Sequence, residues 1–424
     1  YIKNVLCRYY PSLDETPIEI IGDFINSHLF PTAVWPSKFA VTRNSLSEPA
    51  NFDPVADVFD REVLSNGFLY GTNKVQEADV FKTVFSKAYL HPDYTMMTRL
   101  LNESGLKLLI AHSNVNATIF LIPDQVFYDA GYSYNISKSQ FEYRPAGGSA
   151  TTNSVYDKLI RLVQSCVFFS PFKERMEDLS GSKIVKSGDA GTEGDYIRFD
   201  NNTIITAGLE DAGEVAHVDS VGFGTNGKVY YLDKLPFFSE KGVGTHLKKL
   251  APDETSPYYY FWKYLEGSVV YNPNTTDILG LTGFNTLFIP DNEAILQAVN
   301  DGLLPGTGTA PNMVPDFAPK DEPDKDLVRK FLQYHILSGR TVVPDGNAIN
   351  GLANSSLKDE EGNAIRFSLT STDGSMTLTD NYNLTRPGGA EAREHANVIV
   401  PASNNLSSRA VIHLIDKYLN YNIY

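Results

Sequence analysis

Long apolar runs are missing from this chain. No stretch approaches the roughly 18 consecutive apolar residues that a membrane-spanning helix needs. Cysteine is nearly absent: Cys7 and Cys166 are the only two. Two thiols cannot make a disulfide framework, and no C-x-x-C stands here to suggest a metal or redox site. Their scarcity does not exclude an extracellular location, because large domains with ample cores need no staples. Positive charge is also short, with 36 Lys and Arg against 51 Asp and Glu, a net charge of −15. That argues against a nucleic-acid partner, which demands clustered cations to displace counterions, and against docking on anionic lipid. The 8 histidines include no H-x-H or H-E-x-x-H, which speaks against zinc. No G-x-S-x-G elbow supports a hydrolase.

What remains is a chain of 424 residues, 42% apolar, with 24 Tyr and 24 Phe. Its length suggests two to four domains. Tyrosine at that level suits β-rich surfaces, where the ring packs while the hydroxyl stays wet.

The chain repeats itself, with three signatures in fixed order. The first is an apolar β-run closed by proline, ATIFLIPDQVF at 117–127 and NTLFIPDNEAI at 285–295. Ile119–Ile122 and Thr286–Ile289 read as buried strands, Pro123 and Pro290 as their stops, and Asp124 and Asp291 as caps of the helices that follow. The second is a helix passing into a strand: FINSHLFP at 24–31, LVQSCVFFSP at 162–171 and FLQYHILSGRTV at 331–342. In register, His28, Cys166 and His335 coincide, as do Ile25, Val163 and Leu332, and Leu29, Val167 and Ile336. The third is a closing strand: GFLYGTNKV at 67–75, GKVYYLDKL at 227–235 and AVIHLIDKYL at 410–419. Asn73-Lys74, Asp233-Lys234 and Asp416-Lys417 share one place, and Asn66-Gly67 and Asn226-Gly227 read as turns.

Amphipathic helices precede the first signature. Tyr94, Met97 and Leu101 share one face, as do Tyr258, Phe261 and Leu265. Asp195–Val221 and Ala364–Val400 read as β-rich. Leu303–Asp326, rich in Pro, Gly and acid, reads as a long loop, and Tyr132–Asn153 as surface loops. Two complete units emerge, 91–250 and 254–424. Residues 1–90 carry only the second and third signatures and read as the back half of a further unit, whose front half lies outside the sequence.

The pattern resembles the fasciclin domain family. The resemblance is carried by Thr286-Leu287-Phe288-Ile289-Pro290, by Tyr334-His335, and by Val411 through Asp416. It is fullest in the last unit. The middle unit keeps Ile119–Pro123 and Tyr230–Asp233 but has Ser165-Cys166 for Tyr-His, and the first fragment has Ser27 before His28. The resemblance implies an α+β fold of tandem fasciclin-like domains, each a wedge-shaped, β-sandwich-like core with helices along one edge. It implies a non-enzymatic adhesion or assembly protein at the cell exterior, with a protein partner and no cofactor. The Tyr-rich style resembles Bacteroidetes surface lipoproteins, which implies an accessory role beside an outer-membrane nutrient transporter. Asn4-Val5-Leu6-Cys7 is a poor lipoprotein cleavage site, so an N-terminal lipid anchor is expected further upstream. Glycan or small-ligand binding is the alternative.

Several motifs invite sharper readings. Gly222 to Gly227 fits G-x-G-x-x-G, but a strand rather than a helix follows, so a hairpin loop is expected. His335 has no partner carboxylate in its motif, and Cys at the equivalent place suits packing, so a buried, backbone-bonded histidine is expected. Asp321, Glu322, Asp324 and Asp326 lack calcium-loop order and read as a solvated acidic stretch. Tyr258–Trp262 is expected to be mainly core, with the remainder open to a sugar or protein. Asn116, Asn135, Asn274 and Asn383 head glycosylation sequons. No catalytic, cofactor or metal residues are assigned.

Overall fold

The computed structural model of the chain describes residues 1–424 apart from 171, 189–194 and 390–391. It is an α+β structure that divides into two compact units. The first is built mainly of Tyr1–Leu179 and Ala216–Leu235, the second mainly of Pro236–Tyr424, together with Ser180–Lys186 and the described part of Gly191–Val215.

The first unit begins with helix α1 (Ile18–Ser27) and an antiparallel hairpin of β1 (Val58–Leu64) and β2 (Gly67–Thr72). Helix α2 (Thr95–Glu103) follows, burying Met96, Met97, Leu100 and Leu101. Strand β3 (Ala117–Leu121) is buried at every residue, as its uncharged sequence requires. Pro123 stops it, and α3 (Asp124–Asp129) begins. Helix α4 (Val155–Ser165) buries Leu159, Leu162 and Val163, one turn apart, and passes into β4 (Val167–Phe169). Strands β5 (Ala216–Gly224) and β6 (Gly227–Leu232) complete a run ordered β4-β3-β6-β5, in which β3 and β6 are parallel.

The second unit repeats the plan. Helix α5 (Tyr259–Glu266) leads to β7 (Asn285–Pro290), α6 (Asn292–Asn300), α7 (Glu322–Tyr334) and β8 (Ile336–Ser338). A long antiparallel pair, β9 (Asp345–Lys358) and β10 (Ala364–Asp373), continues into β11 (Ser375–Thr379) and β12 (Ala396–Asn397). The unit closes with β13 (Asn405–Ser407) and β14 (Ala410–Ile415). Eight strands are ordered β12-β11-β10-β9-β8-β7-β14-β13, with β7 parallel to β14. In both units the first-signature strand lies between the strand after the His/Cys position and the closing strand. The rings of Phe288, Tyr334 and Phe367 meet edge-to-face in this core, a geometry that adds to their burial.

Three local readings change. Asp291 caps α6 by accepting from Ala294 N at 2.8 Å. Asp124 does not cap its own helix. Its carboxylate turns away and accepts from Thr95 N (3.1 Å) and Met96 N (2.8 Å), so it closes the open end of α2 instead. The expected loop Leu303–Asp326 is largely structured. Leu303 and Leu304 join the core, Gly306–Thr307 pairs with Val314–Pro315, and α7 already starts at Glu322. Pro323 in the first turn with Glu322 and Asp324 beside it is a helix start, suited to the exposed N–H groups and positive dipole end. Tyr132–Asn135 and Gln140–Tyr143 likewise form a hairpin.

Candidate functional site

The chemistry-bearing residues of the repeats sit at joints. His335 is the C-cap of α7, Cys166 of α4 and His28 of α1, so the second signature ends its helix at the same residue three times. The His335 imidazole is fully buried. Its Nδ1–H donates to Phe331 O at 2.8 Å, and Nε2 accepts from Leu419 N at 2.9 Å. Those two bonds fix a neutral tautomer, and burial pushes its pKa down to about 3. His28 makes the same clasp, donating to Phe24 O at 2.8 Å and accepting from Gln76 N at 3.2 Å. Gln76 lies three residues past Asn73, as Leu419 lies three past Asp416. In the middle copy the residue three past Asp233 is Pro236, which has no N–H to donate, and the imidazole is replaced by Cys166. Burial raises the Cys166 thiol to about 12, so it is held neutral and unreactive.

Tyr334, beside His335, is equally buried. Its hydroxyl donates to Arg366 O at 3.1 Å and accepts from Asn381 N at 2.7 Å. Thr286 works the same way, donating to Arg340 O (3.1 Å) and accepting from Val342 N (3.0 Å). The two aspartates of the closing strands also act alike. Asp233 takes the backbone N–H of His217 at 2.6 Å and lies 3.0 Å from its ring nitrogen. Asp416 takes the backbone and side-chain N–H groups of Asn397, both at 2.7 Å. Gly222–Gly227 is the β5–β6 hairpin, with Gly224 opposite Gly227. Gly227 has φ +156°, and a Cβ there would stand 1.8 Å from Ala117 O. Asn226 beside it is buried, accepting from Val84 N and donating to Ile110 O, His112 O and Val115 O.

Sequence reasoning missed two further groups. His413 lies fully buried on β14, donating from Nε2 to Val342 O at 2.7 Å, with its pKa pushed down to about 4 by burial. The signal was available, since it sits within an unbroken apolar strand. In the second unit, Ser407, His246 and Asp211 line up, Ser407 Oγ 2.8 Å from His246 Nδ1 and His246 Nε2 3.3 Å from Asp211. This has the elements of a nucleophile–base–acid relay, brought together from distant segments. The ring is turned opposite to that of serine proteases, however, with Nδ1 toward the serine. Ser407 and His246 are each 7% exposed, and Asp211 is also engaged by Ser239 and Lys241. The arrangement ties helix 243–250 to β13.

The remaining candidates resolve plainly. Tyr258, Phe261 and Trp262 are buried, Tyr258 donates to Ala402 O, and Tyr260 packs on Phe317, so the aromatic run is core rather than an open platform. Asp326 pairs with Arg329 and Lys330, and Glu322 with Lys325, along α7. Among the described residues no group of three or more His, Cys, Asp or Glu is gathered to hold a metal. No described helix is long and apolar enough to cross a membrane. Of the sequon asparagines, Asn135 bonds Glu142 and Asn383 bonds Asp380.

Two of the cavities among the described residues combine charged and aromatic side chains in their linings. One of about 590 Å³ in the first unit is lined by Tyr10, Asp23, Tyr89, Arg99, Glu103 and Lys107. There the Tyr89 hydroxyl donates to Asp23 at 2.8 Å, and burial with that carboxylate raises its pKa. One of about 540 Å³ in the second unit is lined by Asp380, Tyr382, Arg386, Glu394, Lys417 and Tyr418 among others.

Residues 268–421 match the family model of the Fasciclin domain. Fasciclin domains are a non-enzymatic type associated with cell adhesion and protein interaction, typically outside the cell or on its surface. No curated protein matches the chain. Among solved structures, the chain is similar to a FAS1 domain pair from the insect cell adhesion molecule fasciclin I, at 14% identity and a TM-score of 0.28, covering 77% of this chain and 96% of that one. The stretch that matches the Fasciclin domain model is the one that holds the His335 clasp, Thr286 and Asp416.

Proposed function

We propose that the protein is a tandem interaction module of the cell exterior, docking onto another protein and performing no chemistry. The observation that supports this best is where the motif residues spend their hydrogen bonds. His335, Tyr334 and Thr286 are buried and close backbone joints, and Asp416 takes the backbone N–H of Asn397. The finer reading has three repeats, 1–90 as a partial unit and 91–250 and 254–424 as complete ones. It carries a lipid anchor upstream of this sequence and stands beside an outer-membrane nutrient transporter of a Bacteroidetes-type envelope. Tandem units add avidity when both engage. The test is a gentle detergent pull-down from the native envelope with mass spectrometry. A stoichiometric transporter or surface lipoprotein supports the reading, and recovery of the protein alone overturns it.

The Asp23–Tyr89 cavity favours a second reading, capture of a small polar ligand such as a sugar, because it offers rings, carboxylates and cations around one space. Glycan-array binding abolished by Tyr89→Phe and Arg99→Ala would promote it.

A further inference from the structure

Two helices of the first unit present their polar faces to one cavity. On α1, Glu19, Gly22, Asp23 and Asn26 recur at the spacing of a single helical face, and all four line it. On α2 the lining is Thr98, Arg99, Asn102 and Glu103, again one face. The other face of α2 supplies Met96, Met97, Leu100 and Leu101 to the core, so its polar face would ordinarily meet bulk water. Here it borders the space of about 590 Å³ that also holds the Tyr89 ring in its wall. A side chain at Gly22 would meet nothing within 4 Å, so the α1 backbone stands open at that point.

The charges of this lining are spent unequally. Asp23 accepts from the Tyr89 hydroxyl at 2.8 Å and has Lys107 at 3.7 Å, so this acid and this cation answer each other. Arg99 is held differently. Its guanidinium lies over the Tyr134 ring at 3.6 Å and makes no hydrogen bond or ion pair among the described residues. Glu103, one turn along, makes none either. Elsewhere the same spacing closes: Lys173 reaches Glu177 at 3.2 Å, and Asp326 reaches Lys330 at 2.8 Å. The stack on Tyr134 explains the difference, because a guanidinium laid flat on a ring is held in place while its in-plane N–H donors stay open. One cation and one carboxylate are thus left unspent on adjacent turns beside a cavity. The Thr98 hydroxyl on the same face also lacks a partner.

We infer that this cavity binds a small zwitterion, an α-amino acid, with its carboxylate on the Arg99 fork and its ammonium on Glu103. A planar guanidinium matches a carboxylate through two parallel hydrogen bonds. The two charges of an α-amino acid hang from one carbon, as Arg99 and Glu103 sit one turn apart on one helix. A neutral sugar leaves both charges unanswered, and a simple anion or cation answers only one. Glu19, Asn26 and Asn102 remain for a polar side chain of the ligand. The inference rests on the small-ligand reading of this cavity and names the ligand class.

The probe is L-glutamine, titrated into the 424-residue protein by isothermal titration calorimetry beside N-acetyl-L-glutamine and L-glutamine α-amide. Saturable one-to-one binding of glutamine is expected. Each blocked analogue should bind about tenfold more weakly or worse, as should glutamine itself to R99A or E103Q, in line with one lost hydrogen-bonded charge contact. Tyr134→Leu frees Arg99 to close on Glu103 and should weaken binding while leaving both groups in place. Gly22→Leu should abolish binding by filling the space, yet keep or raise the melting temperature, since leucine favours a helix interior over glycine. That separates lost binding from lost fold. E361Q, exposed in the second unit, should change nothing. No saturable heat with glutamine, equal affinity for either analogue, or R99A indistinguishable from wild type would each overturn the proposal. Glycan binding that R99A abolishes, with no glutamine binding, overturns this ligand class and leaves the small-ligand reading standing. Glutamine binding with a silent glycan array supports the zwitterion and removes the sugar.

Discussion

Acidification from pH 7 to 5.5 should destabilise the second unit through two histidines that never see water. His335 and His413 are held neutral, with native pKa values pushed down by burial to about 3 and about 4. Unfolding exposes both to water, where imidazole titrates near 6.5. The unfolded state therefore binds more protons than the native state everywhere between those values. Stability is full above about pH 6.5 and falls as pH drops toward the native pKa values. Between pH 7 and 5.5 each histidine removes about 1.3 kcal/mol, roughly 2.5 for the pair. That figure depends only on native values lying well below 5.5. Asp291 and Asp380, whose pKa values burial raises, contribute with the opposite sign, so the histidine share is read from the difference between the wild type and the His335 variant. The assay is denaturant unfolding followed by fluorescence of Trp262, buried in the second unit beside Tyr271. His335→Gln lowers stability at every pH but should halve the pH-dependent loss. An unchanged loss in His335→Gln, or a midpoint flat from pH 7 to 5.5, refutes the assignment.

Asp124→Ala should cost about 1–2 kcal/mol by uncapping α2, with the largest rise in hydrogen exchange at Thr95 and Met96. Gly227→Ala forces a side chain into Ala117 O and should abolish folding of the first unit, whereas Gly67→Ala, with open space around it, should be tolerated in a thermal melt. A fluorophosphonate probe should leave Ser407 unlabelled, and Ser407→Ala should change stability alone; labelling would reveal a reactive serine. Under native conditions a thiol reagent should titrate Cys7, with Cys166 appearing only on unfolding.

Much of the site was legible because repetition supplied what a single motif could not. The third appearance of a helix ended by His or Cys made His335 a joint before any contact was known, and the uncharged runs at 117–121 and 285–290 announced central strands. What the chain hid were bonds between distant segments. Asp124 stands where a helix cap should stand, and only the fold brings Thr95 nearer than its own second turn. The Ser407–His246–Asp211 line joins residues 161 apart, with no local spacing to betray it. At 303–326, composition overruled two cues that were present, the Leu303-Leu304 pair and the acid-proline-acid start of α7.

The clasp also sets the order in which a repeat can lose it. Replacing the histidine first strands a buried N–H, at about 1–3 kcal/mol. Replacing the donor by proline first leaves only an imidazole nitrogen wanting a proton, a milder debt that a water molecule can settle. The middle copy carries both changes, Cys166 and Pro236. The tolerable path to it runs through the proline, and returning His to position 166 alone would restore a hand with nothing to hold.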